Sequence, residues 1–119
     1  MLKTILDELI NIASEKKAES ICYYEVSESN ALTDYVVIMQ AGNKIHVKSL
    51  IEDLMKEAVK LCEKDPVNFY SDIKLTGNAE SAWVILDLNS IIIHIMTEEL
   101  RSFYKLDDVF LAQGPVFHV

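Results

Sequence analysis

The sequence predicts an α/β fold, a single domain in which a mixed sheet of about five strands is flanked by helices. Three observations carry that expectation. Two long segments, around residues 2–13 and 47–61, repeat apolar side chains at the spacing of an amphipathic helix. Between and after them lie short runs dense in β-branched and aromatic residues, the composition of strands. The 119 residues are half hydrophobic, with only 3 Gly and 2 Pro and no linker, low-complexity tract or internal repeat, so one core of useful size is expected.

Leu2, Ile5, Leu6, Leu9, Ile12 and Ala13 mark the first helix, about four turns long, with Lys16 and Lys17 expected in its last turn beside the carbonyl end. From Ile21 to Val26 a strand follows, then polar turn material through Ala31. Tyr35, Val36, Val37, Ile38 and Met39 form an unbroken apolar run, as expected of a central strand covered on both faces. Gly42 and Asn43 break the pattern and open a long helix, whose stripe is Val47, Leu50, Ile51, Leu54, Ala58 and Leu61. Glu52 and Lys56 lie four apart on its wet side, and Asp65-Pro66 is expected to end it. Phe69 to Leu75 is a candidate strand, and Thr76-Gly77-Asn78 a turn.

Two further strands, Trp83 to Leu88 and Ile91 to Met96, are separated by Asn89-Ser90, the spacing of a tight hairpin. Thr97 is the expected N-cap of one closing helix, with Glu98 and Glu99 in its first turn. The tail, residues 112–119, is compatible with either fraying or packing against the core. The order is helix, strand, strand, helix, three strands, helix, which requires a mixed sheet.

Net charge is −8, from 19 acids against 11 bases, and Arg101 is the single arginine. A chain that grips phosphates needs clustered basic side chains. This one has none, so direct nucleic-acid binding is not expected and a basic protein is the better-matched partner. Acids in the first eight residues interrupt any secretory core, and no apolar run is long enough for a bilayer. Cys22 and Cys62 read as reduced, buried residues, and the expected address is the cytoplasm.

Catalytic chemistry leaves few traces. His46, His94 and His118 fall on different elements without ligand spacing, so no metal site is expected. No Gly-flanked elbow surrounds a serine, and Gly42, Gly77 and Gly114 form no phosphate loop, so neither catalytic residues nor a cofactor is assigned. Asp34 and Asp87, each at a strand end, are the one carboxylate pair to consider. They support the alternative reading, a nucleotide-dependent transferase using magnesium. A further alternative is a homodimeric adaptor joined through an edge strand.

Trp83 is the other informative residue. With period two, Trp83, Ile85 and Asp87 share one face of their strand, and Val84, Leu86 and Leu88 the other. The purely aliphatic face is the one expected inside, which leaves Trp83 partly accessible. Tryptophan is a common anchor of protein–protein contacts.

These residues, taken with what surrounds them, resemble the Iojap/RsfS family of ribosomal silencing factors. The likeness rests on Trp83-Val84-Ile85-Leu86-Asp87, Ile91-Ile92-Ile93-His94-Ile95, Glu99, Arg101, Phe103-Tyr104, Leu106 and Phe110. Upstream, Leu32-Thr33-Asp34-Tyr35, His46-Val47 and Lys17-Ala18-Glu19 extend it over nearly the whole chain. Departures are Asn89-Ser90 where Gly-Asp is usual, Ile45 in place of a common Arg, and Phe110 in place of a closing Trp.

The resemblance implies a nucleotidyltransferase-like domain lacking that fold's catalytic Gly-Ser and Asp-x-Asp, and therefore no enzyme. It also implies docking on the large ribosomal subunit, at its intersubunit face, through the basic ribosomal protein numbered fourteen. A factor bound there keeps the small subunit away and represses translation. Trp83, Ile85, Asp87, Leu88 and Tyr104 are the expected partner-binding residues.

Overall fold

Ile5, Leu6, Leu9, Ile10 and Ala13 occupy one side of helix α1 (Leu2–Glu15), and all five are buried. The computed structural model describes residues 2–29, 32–64 and 73–119. Lys16 and Lys17 follow α1 instead of completing its last turn. Lys17 adopts a left-handed φ of 65°. Its N–H bonds the Ser14 carbonyl at 3.0 Å, and the Ala18 N–H bonds that of Ala13 at 2.9 Å. That pair of bonds is the Schellman closure, which satisfies the orphan carbonyls of the helix end and turns the chain into β1 (Glu19–Glu25).

The run predicted for a doubly covered strand is β2 (Tyr35–Ala41), where Val36, Val37, Ile38 and Met39 are all buried. Helix α2 (Lys44–Lys64) buries Val47, Leu50, Leu54, Ala58 and Leu61. Asn43 accepts the His46 N–H at its start. The expected stop at Asp65-Pro66 lies outside the described residues, as does most of the strand expected from Phe69. What is described of that strand is three residues, β3 (Lys74–Thr76). A short 3-10 turn (Ala79–Ser81) then leads into β4 (Trp83–Asp87) and β5 (Ile91–Thr97). Their hairpin has the predicted two-residue tip. Asn89 takes a φ of 74° and the Leu88 N–H reaches the Ile91 carbonyl at 2.9 Å.

Thr97 caps the next helix through its extended backbone but contributes no side-chain capping bond. The single closing helix is in fact two, α3 (Glu98–Tyr104) and α4 (Leu106–Leu111), broken where Lys105 enters the left-handed region at φ 48°. The tail is not frayed: Val116–His118 forms β6, antiparallel to β1. Gly114 makes that approach possible, because a Cβ there would collide with the Glu25 carbonyl.

Among the described residues the sheet therefore has six strands rather than about five, in the order β3-β4-β5-β2-β1-β6. Among them β2 and β5 are the one parallel pair; the other pairs are antiparallel, which makes the sheet mixed as expected. One face carries α1 and α2 over Val37, Met39, Val84, Leu86, Ile91, Ile93 and Ile95. The opposite face carries a smaller cluster of Cys22, Tyr24, Val26, Val36, Ile38, Met96 and Leu106, only partly roofed by α3 and α4. This thinner cover is what leaves the aromatic residues of β4 and α3 within reach of a partner.

Candidate docking surface

Alternation along β4 decides which side chains look outward. Val84 and Leu86 are fully enclosed beneath α2, whereas Trp83, Ile85 and Asp87 are half-buried on the thinly covered face. The indole is fixed at its polar end, its Nε1–H donating to His94 Nδ1 at 3.2 Å. Its ring lies 5.2 Å, centroid to centroid, from Tyr104, which meets Phe103 edge-on at 5.0 Å. Both of those rings are exposed, Tyr104 to 53 % and Phe103 to 74 %. A shallow, mostly apolar depression of about 380 Å³ opens between Trp83, Ile85, Leu100, Tyr104 and the Thr76-Gly77 turn. Gly77 has a φ of 84°, and a Cβ there would sit 2.5 Å from the Trp83 carbonyl, so the turn that rims the depression needs glycine. Leu75, paired with Leu86, lies on the other face of the sheet, where it is exposed beside Ile51 and Ala79.

Under this surface a polar cluster pins α3 and α4 to the sheet. Arg101 grips Asp107 with two bonds, Nε to Oδ2 at 2.8 Å and Nη2 to Oδ1 at 2.9 Å. It also donates to the Ser20 carbonyl, freed by the bulge in β1, and to Gln40. Tyr24 donates its hydroxyl to Asp107 at 2.6 Å. The Arg101 guanidinium, with help from that hydroxyl, holds the Asp107 carboxyl down to about 2. Burial pushes the Cys22 thiol and the Tyr24 hydroxyl up, so both stay protonated near neutral pH. His94 is buried between the Trp83 and Phe110 rings, and desolvation alone lowers its pKa to about 4.

Of the expected partner-binding residues, Trp83, Ile85 and Tyr104 come together at the depression. Asp87 shares their face at the far end of the strand, with its carboxylate accepting the Asn89 N–H at 2.8 Å. Leu88 needs correction: it is 3 % exposed and packs with the α1 and α2 core, so it offers a partner no area. Its position follows from the strand alternation, which turns it inward with Val84 and Leu86. Phe103 and Leu100 belong to the surface and were not assigned to it from the sequence. Phe103-Tyr104 was visible as part of the family likeness, but nothing local marked Leu100.

Asp34 and Asp87 both sit at the hairpin end of the sheet, where the Asp34 N–H bonds the Ser90 carbonyl at 3.1 Å. Ligands of open α/β sheets bind at the opposite end, beyond the carboxyl ends of parallel strands such as β2 and β5. Among the described residues no three His, Cys, Asp or Glu side chains are grouped to hold a metal. His46 instead ties helix ends together, its Nδ1 accepting the Gly42 N–H and its Nε2 meeting the Lys16 carbonyl at 2.8 Å. No described helix is long and apolar enough to cross a membrane.

Comparison with known proteins follows this geometry. The mouse protein "Mitochondrial assembly of ribosomal large subunit protein 1" is 28 % identical over 110 residues, which are 92 % of this chain and 46 % of the mouse protein. This chain thus spans about half the length of that relative. "Ribosomal silencing factor RsfS" of Bacillus subtilis is 23 % identical over 108 residues, 91 % of this chain and 86 % of the relative. A crystal structure of a Chromobacterium violaceum protein superposes with a TM-score of 0.78 at 22 % identity, covering 100 % of this chain and 93 % of that one, and shows the same fold. The family described as "Ribosomal silencing factor during starvation" matches residues 2–117, and to that RsfS family the chain belongs.

Proposed function

We propose that this protein silences translation by occupying the large ribosomal subunit at the face that meets the small subunit, with basic ribosomal protein fourteen as its direct contact. Ribosome-associated silencing is the role of the family. The single observation that supports this route is the half-open apolar surface around Trp83, roofed on one side by Tyr104 and Phe103. Contiguous apolar and aromatic area of this kind is characteristic of protein interfaces. A net charge of −8 favours a basic protein over ribosomal RNA as the surface met first. No reaction is required; occupancy excludes the competing subunit sterically. The mouse relative's name describes assembly of a ribosomal large subunit, a role that docking on that subunit would also serve.

An aromatic hot-spot anchor contributes on the order of 2–4 kcal/mol to an interface, roughly 30- to 1,000-fold in affinity. Trp83→Glu is therefore expected to keep the far-UV circular dichroism of the wild type while losing co-sedimentation with purified large subunits. Unchanged co-sedimentation of a folded Trp83→Glu protein would place the docking surface elsewhere.

A further inference from the structure

We propose that His94 is a positioning residue for the docking surface: its neutral imidazole holds the Trp83 indole by the indole N–H and so sets the angle at which the aromatic anchor meets its partner. This rests on the docking reading above and adds to it a residue that a partner does not touch.

Four observations converge on His94. It lies on β5 directly opposite Ile85 in the β4 register, on the same face as Trp83. Its Nδ1 accepts the indole Nε1–H at 3.2 Å, the one polar handle that tryptophan has. The Phe110 ring packs on the imidazole, tilted to it with centroids 5.4 Å apart, and hinders the acceptor from swinging away. At 7 % exposure the ring is too enclosed for water to replace that bond. A half-buried indole without an acceptor would leave its N–H unpaired against an apolar wall, or rotate to wet it. Either change reshapes the depression beside Tyr104.

The bond exists only while Nδ1 carries no proton, so the chemistry is directional. An imidazolium has two donors and no acceptor, and it would oppose the indole N–H. The groups packed around His94 are neutral: Trp83 and Ile85 from β4, Ile38 from β2, Phe110 from α4, and Met96 on its own strand. Charged and titratable side chains on those elements and their neighbours are engaged elsewhere, lie beyond Trp83 or, like Asp108 of α4, are exposed to solvent. Asp87 binds the Asn89 N–H, Arg101 and Asp107 bind each other with Tyr24 and Cys22, and Tyr104 lies behind the indole. Burial is the only cause acting on the imidazole proton, and it keeps the accepting form present throughout the neutral range.

The test reads the indole directly, since the chain has one tryptophan. His94→Asn keeps an acceptor at the Nδ1 position and cannot be protonated; His94→Leu keeps bulk and removes the acceptor. In isolated ¹⁵N-labelled protein at neutral pH, the indole N–H resonance is expected to stay hydrogen-bonded in the Asn variant and to move to a free position in the Leu variant. On acidification the wild-type resonance is expected to titrate while the Asn variant stays flat, a comparison that decides even if the Leu variant does not fold. Docking on large subunits should weaken about 3- to 10-fold for Leu, the worth of one hydrogen bond, and be restored by Asn. A wild-type resonance that does not titrate while the fold persists, or a folded Leu variant with an unmoved indole signal, would refute the role. So would a folded Leu variant that docks as tightly as wild type when Trp83→Glu does not. Undiminished docking of Trp83→Glu would instead overturn the surface itself, and the indole spectra would tell that failure apart.

Discussion

Asp107 shows how one side chain can join four elements. Its carboxylate, on α4, takes two bonds from Arg101 of α3 and one from Tyr24 of β1, and Arg101 reaches on to Gln40 of β2. The Arg101 side chain is 11 % exposed, so deleting its counter-charge strands a nearly buried cation. Asp107 itself is 38 % exposed, and solvent screening reduces the loss below that of a fully buried pair. Asp107→Asn is expected to cost about 1–3 kcal/mol in urea unfolding, with α3 and α4 losing hydrogen-exchange protection before the sheet does. The sign of its pH effect follows from a folded pKa near 2 against an ordinary 3.8. The stabilisation is complete above the ordinary value and disappears as pH falls through the folded one. None of this was legible in the sequence, where Tyr24 and Asp107 are 83 residues apart and neither belongs to a motif. The hints were Arg101's place in the family likeness and its being the single arginine in a chain otherwise basic through lysine.

Among the elements, legibility tracked the range of the forces involved. Helices α1 and α2 and strands β2, β4 and β5 were readable because a 3.6- or two-residue period is written locally. The split of Val84, Leu86 and Leu88 from Trp83, Ile85 and Asp87 followed from the same period, and packing under α2 decided which face is covered. Counting Leu88 into the docking surface ignored that alternation. The closing helix and the tail were harder. Lys105 is no obvious breaker, and the left-handed turn it makes is imposed by what α3 and α4 each pack against. Strand β6 has three residues and exists because β1 offers it an edge. That edge depends on Gly114, whose hydrogen fits against the Glu25 carbonyl. Gly114→Ala is expected to detach β6, at a cost of about 1–3 kcal/mol, and to expose the β1 amides that face it, those of Tyr23 and Glu25, to hydrogen exchange. Protection of those amides equal to wild type would show that β6 tolerates the methyl group.

For the molecule as a whole, two layers of unequal depth set a closed aliphatic core against a half-open aromatic surface. The face beneath α1 and α2 carries most of the enclosed aliphatic residues, while the face beneath α3 and α4 is half-roofed and carries the aromatic surface. Acid acts on the second layer first. His94 is neutral in the fold with a pKa near 4 against an ordinary 6.5, so the unfolded chain binds the extra proton between those values. Global stability should be level above pH 6.5 and decline as pH falls toward 4, by about 3 kcal/mol in all. His94→Asn should flatten that part of the profile in denaturant titrations. A wild-type profile already flat between pH 4 and 6.5 would mean that the imidazole is open to water. From the sequence come the fold class, the family likeness, the acidic balance and the division of β4 into two faces, because periodicity, charge and motif are properties of neighbours along the chain. The sixth strand, the break at Lys105, the Arg101–Asp107–Tyr24 cluster and the His94 grip on Trp83 belong to the tertiary structure alone, because each is a contact between distant residues whose geometry exists only once the sheet has brought them together.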